Sequence, residues 1–141
     1  MNSTDSHIEI ISNKDEIYAI IIRSKFHQEG IKFFTPDDFS QQLGYMSHKA
    51  GHKIPPHIHN FLPREVKYTQ EVLLIKYGKV RVEFYTNEKT YFKSSLLLKG
   101  DVILLANAGH GFCIEEDAAM IEIKQGPYLG DKDKTRFIEV K

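Results

Sequence analysis

Short apolar runs with a period of two recur along this chain, with turn residues between them, and that pattern predicts strands. The runs fall at 8–11, 17–22, 45–47, 54–59, 71–77, 80–85, 91–98, 102–105, 111–114, 120–124 and 137–140. Tyr77-Gly78-Lys79 and Asn87-Glu88-Lys89 predict tight connections, and Gly100-Asp101 breaks the chain before 102–105. One segment carries a helix signal. Thr35-Pro36-Asp37-Asp38 offers an N-cap, a proline suited to a first turn and two acids at the positive end of the helix dipole, with Gly44 as a stop. Many short strands with at most one or two short helices predict an all-β sandwich or barrel. There is no internal repeat and no linker. The whole chain, 1–141, reads as a single domain with N-terminal strands at 8–22, large enough to bury a core without disulfides.

Composition removes several classes of function. Lys+Arg and Asp+Glu balance at 19 each, which leaves no field to draw in nucleic acid or an anionic membrane. No apolar run approaches the length of a membrane span. Residues 1–7 are polar and lack the basic and apolar series of a secretory signal. The single Cys113 cannot form an internal disulfide and reads as a small buried hydrophobe, so a reducing, cytoplasmic setting is expected.

The candidate chemistry begins at His57-Ile58-His59. Two positions apart on a strand means one face, and two neutral imidazoles on one face can grip a first-row metal. Pro55-Pro56 argues against a helix there. Glu71 alternates with Leu73 and Ile75, which turns its carboxylate inward, where it needs a partner. With His110 it completes a three- or four-ligand set, and a divalent metal is the partner expected. Glu65 is the competing carboxylate, and Gln70 a more distant one. The eleven residues between His59 and Glu71 are long for a hairpin loop and carry Arg64 and Lys67, candidate contacts for an anionic ligand. His48 and His52 read as solvated or locally satisfied. Tyr68, Tyr77, Phe84 and Phe112 read as packing residues. Only one of Lys124 and Gln125 can face a barrel interior.

The order of these residues resembles the cupin superfamily of small jelly-roll barrels over roughly residues 44–125. Gly51, five residues and His57-Ile58-His59 match one half of its first motif, and Glu71, six residues and Gly78 match the other. The departure is the long insertion between the halves. In the second motif, which begins at Gly100, Ala106 stands where proline is usual, Gly109 comes one place late and His110 one place early. The resemblance implies a cupin-type jelly-roll β-barrel holding one divalent ion (Zn, Fe, Mn or Ni) through His57, His59, Glu71 and His110. The stretch 122–128 is similar to the exit strand of small cupins found among bacterial surface-sugar genes. Three functions are consistent with it. The first is a metal-dependent isomerase or oxygenase acting on a small polar, carbohydrate-related molecule. The second is a metal-free sugar epimerase-like enzyme with a histidine base. The third is a non-catalytic binding or sensor module. A homodimer is expected, because 8–11 and 17–22 are too apolar for free sheet edges.

Overall fold

A computed structural model describes residues 6–138. Its strands are β1 (Ile8–Asn13), β2 (Glu16–Ile22), β3 (Gly30–Phe33), β4 (Gly44–Ser47), β5 (Glu71–Tyr85), β6 (Tyr91–Leu98), β7 (Val102–Leu105) and β8 (Gly109–Lys124). A single 3-10 turn, Gly130–Asp133, follows. The all-β class expected from the alternation is therefore the class observed. None of the described helices is long and apolar enough to cross a membrane.

β5 and β8 dominate the sheet. They run 15 and 16 residues and pair antiparallel from Glu71↔Lys124 to Tyr85↔Gly109. The opposite edge of β5 is shared, by β7 along 71–74 and by β6 along 79–85. β7 then pairs β2, and β2 pairs β1, and the whole sheet curls strongly into half a barrel. The expected tight connection at Gly78 is not a reversal. β8 continues past it and pairs both halves of β5, so the break bends one strand instead of joining two. The register shifts on both sides of it, and Gly78 takes φ +91°. A Cβ there would sit 2.2 Å from the Asp117 carbonyl oxygen, so only glycine fits the bend.

Cross-strand alternation then fills two layers. Inside the curl, Ala19 and Ile21 of β2 meet Leu73, Ile75, Val80, Val82 and Phe84 of β5 with Ile103 and Leu105 of β7. Outside it, Ile20, Ile22 and Leu104 are covered by Phe26, Phe34 and Leu43. β2 is thus buried on both faces, which explains its unbroken apolar run. β2 is covered on both edges by β1 and β7, while β1 pairs only with β2 and forms one edge of the described sheet.

Three local expectations fail for identifiable reasons. The segment after Thr35 forms turns, not a helix. Phe34 and Leu43 are both pulled into the outer layer, and the Phe34 amide bonds the Leu43 carbonyl at 2.9 Å. Carbonyls that a helix would use accept instead from the Gln42 side chain, at 3.0 Å to Pro36 and 2.9 Å to Phe39. Residues 54–59 form no strand and lie in an extended, exposed segment. In 137–140, Phe137 and Ile138 are not in a strand, and 139–140 lie outside the described residues.

Asp101 ties the layers together. Only 3% exposed, it accepts from Arg23 Nη1 at 2.8 Å and from the backbone amides of Ser24 at 2.9 Å and Leu98 at 2.8 Å. Arg23 also reaches Glu9 at 3.0 Å and the Leu96 carbonyl at 2.6 Å. Asp101→Ala removes three bonds and leaves a partly buried guanidinium short of one counter-charge. It is expected to cost at least about 2 kcal/mol, seen as a lowered urea midpoint with an unchanged slope.

Candidate functional site

Glu71 begins β5 in the phase set by Leu73 and Ile75, so its carboxylate enters the concave face with a side chain 14% exposed. Leu105 of β7 lies opposite it. The chain leaves Leu105, turns at 106–108 and enters β8. Ala108 takes a left-handed φ of 65°, and its amide donates to the Asn107 side chain at 2.9 Å. This irregular turn delivers the His110 ring onto Glu71. His110 Nε2 lies 2.6 Å from Glu71 Oε1.

That hydrogen bond from His110 holds the Glu71 carboxyl down to about 2, against burial, which pushes it up. Glu71 is therefore ionised, and His110 donates through Nε2. Glu122, also hydrogen-bonded to Glu71, is pushed above the ordinary carboxyl range by that bond and by burial. On β8, residues 120, 122 and 124 share the concave face, which brings Glu122 and Lys124 beside Glu71. Lys124 is therefore the member of its pair that faces the cavity. Gln125 instead accepts from the Gln70 backbone amide at 2.8 Å, and the buried Gln70 side chain accepts from the Gln41 amide at 3.0 Å. Gln70 is an anchor, not a ligand.

These groups line a cavity of about 620 Å³, walled by Tyr68, Tyr85, Phe112 and Phe137. Phe137 comes from the C-terminal tail, which folds back over the mouth. Its ring meets Tyr85 edge-on at 5.2 Å and sits close over Gly109, where a Cβ would approach it to 3.0 Å. Asp133 pins the tail by accepting from the Thr69 hydroxyl.

His57 and His59 lie elsewhere. They stand on the exposed segment 48–68, whose prolines 55, 56 and 63 offer no backbone donors. Ile58 is 91% and Phe61 95% exposed there. The two rings are 5.1 Å apart, and His57 Nδ1 donates to the Pro55 carbonyl at 3.0 Å. This bond leaves His57 Nε2 as a free lone pair, the arrangement that outer-shell bonds give to metal-binding histidines. Glu65 is exposed in the same segment, while Arg64 and Lys67 line a second cavity. His48 and His52 stack on each other at 4.1 Å and stay exposed.

The fold thus brings Glu71 and His110 together and leaves the HxH pair apart. Among the described residues no three His, Cys, Asp or Glu side chains are grouped to hold a metal. As donors, the facing carboxylate and imidazole suit a first-row divalent ion. As a set, they are half of what such a site needs. Phe84 is core as expected, but Cys113 is exposed on β8 instead of buried. Sequence reasoning missed Glu122, Lys134, Arg136 and Phe137. Strand phase from Lys124 was enough to find Glu122. The tail residues carry no periodic signal. Compared with family models, curated proteins and solved structures, the chain matches none.

Removing the imidazole tests the electrostatics. In His110→Ala the Glu71 carboxyl should titrate well above about 2, followed by carbon-13 NMR of its side chain. A depressed folded-state value stabilises above the unfolded value of 4.5 and is lost as pH falls toward about 2. The wild type's stability margin over His110→Ala should therefore narrow on acidification through that window.

Proposed function

We propose that the chain is a small metal-binding cupin acting on a small polar, carbohydrate-related molecule. The observation that carries this reading is the convergence of Glu71 and His110, distant in sequence, in one cavity. In this reading the half-barrel closes into a jelly roll when 54–59 pairs with β8 and brings His57 and His59 to the other two ligands. Several features support that closure. The outer edge of β8 has no strand partner among the described residues. Phe112 and Ile114 remain 37% and 52% exposed there, although they sit across from the fully buried Val82 and Val80. The His57 and His59 rings already lie 5.1 Å apart.

The ion supplies Lewis-acid chemistry of the isomerase or oxygenase kind when bound. The chain's own residues do the rest. In the ion-free site Glu71 and His110 hold a proton between Oε1 and Nε2. Tyr85, Phe112 and Phe137 keep water from the floor, and Lys124 orients a polar group toward the carboxylates. A homodimer belongs to the same proposal. The outward face of β3–β4 supports it, because Ile31, Phe33 and Met46 are each more than half exposed there. The contact of Glu122 with Glu71 favours a second reading, a metal-free epimerase-like site in which His110 is the base and Glu71 orients it.

Metal analysis separates the two. The purified protein should hold about one divalent ion per chain, and His57→Ala with His59→Ala should empty it. Glu71→Gln should weaken metal binding and Glu65→Gln leave it nearly intact. A metal-free wild type with turnover would favour the second reading. Closure has its own readout. Cys113 should react with a thiol reagent in metal-stripped protein and become at least about tenfold slower on metal addition, since edge pairing covers it. Equal rates would mean that 54–59 stays off the edge.

A further inference from the structure

The cavity around Glu71 and His110 does not end at its acidic floor. Across shared walls at Tyr68, Thr69, Lys124, Asp133, Lys134 and Arg136 it adjoins a second cavity of about 400 Å³. In a chain with no net charge, this second cavity is lined by five basic side chains, Arg64, Lys67, Lys124, Lys134 and Arg136. Two carboxylates share that lining, and both are engaged, while Glu71 and Glu122 act on Lys124, and Glu122 on Lys134, from the adjoining cavity. Asp131 takes Arg136 Nη1 at 3.2 Å, and Asp133 takes the Thr69 hydroxyl. No ion pair ties down Arg64, Lys67 or Lys134 among the described residues.

These cations come from three places in the sequence: the segment before β5, the end of β8 and the C-terminal tail. The tail is held there by Phe137 on Tyr85 and by Thr69 on Asp133. Like charges do not gather around a concavity without cost, and a bound anion offsets that cost. A single carboxylate needs one or two such partners, whereas a phosphate or diphosphate carries more charge and more acceptor oxygens. The adjoining cavity holds Glu71 and Glu122, which repel an anion. The difference in charge between the two cavities therefore favours one orientation of a ligand that spans them.

We propose that the second cavity is an anion subsite for the phosphate or diphosphate of a phosphorylated small molecule. Arg64, Lys67, Lys134 and Arg136 hold the phosphate, and the uncharged hydroxylated remainder reaches past Lys124 to Glu71 and His110. This names the substrate class of the site proposed above and rests on that cavity being the ligand site.

The test uses the full chain as purified, with its metal content recorded and inorganic pyrophosphate as the probe in isothermal titration calorimetry. Wild type should bind pyrophosphate, more weakly as salt rises, and should bind succinate far less well. Lys67→Gln and Lys134→Gln should each weaken pyrophosphate by about 10- to 100-fold, the size of one charge-assisted bond, and leave metal content unchanged. Lys25→Gln and Lys89→Gln, outside both cavities, should change nothing. A nucleoside diphosphate and a sugar 1-phosphate, compared with pyrophosphate, tell what the remainder is; tighter binding of either supports the subsite. No pyrophosphate binding at millimolar concentration, succinate bound equally well, or affinity unmoved in both variants overturns it. A protein that holds metal but ignores pyrophosphate sinks this subsite alone. One that binds pyrophosphate but never holds metal sinks the metal reading alone.

Discussion

A two-stranded ribbon bent at one glycine organises this molecule. β5 and β8 pair along almost their full lengths, and the bend at Gly78 aims the two halves of β5 at different neighbours, β7 and β6. Ile75, Val80, Val82 and Phe84 flank the bend and point into the curl, each at most 1% exposed. Burial of each such side chain contributes about 1.5–3 kcal/mol, so the curvature is held by the surface it encloses. The same curvature carries the site. It brings the start of β5 and the start of β8 to one mouth, and there Glu71 and His110 meet.

Much of the strand pattern was legible because alternation survives wherever one face is buried. Residues 8–11, 17–22, 91–98 and 102–105 lie in strands as read. Two apolar runs became one strand at 109–124, where the polar Glu115-Glu116-Asp117 interrupts the apolar pattern, and at 71–85, where the bend glycine looked like a turn. Only pairing to a continuous partner distinguishes the two, and pairing is not local. The helix signal after Thr35 is sound local chemistry that lost to the burial of Phe34 and Leu43. In the site, Glu71 was legible from strand phase, and its inward aim is what the fold shows. Lys134, Arg136 and Phe137 were not, because an irregular tail has no period and its position depends on single contacts such as Phe137 on Tyr85.

The cleft is polarised along its length, and this follows from where the backbone can afford charge. At the floor, Glu71 is deep enough that its carboxylate must be answered, and His110 answers it at 2.6 Å. Glu122 is more open and takes the opposite shift, so two neighbouring carboxyls hold unequal shares of negative charge. The adjoining cavity is lined instead by five basic side chains. Lys124 stands between the two zones, close enough to Glu71 to help hold it ionised. A ligand entering this cleft meets a gradient of charge, and its own distribution of charge must be the complement.

Among the described residues the outer edge of β8 has no strand partner, and its own chemistry limits what can pair with it. A second β8 is a poor partner. Glu115, Glu116 and Asp117 form an acidic run in mid-strand, and antiparallel self-pairing about that run would set like charges opposite one another. Arg81 and Lys79 already serve Glu115 and Glu116 from within the sheet. A segment rich in proline is poor as well, unless it presents a stretch with free amides. Within 48–70, Pro55 and Pro56 cannot donate to a ladder, and the first residues beyond them that can are His57, Ile58 and His59. The residues best able to pair with the edge are thus the same three that present two imidazoles on one face. In the proposed closure one short stretch would answer both the open edge and the half-filled donor set.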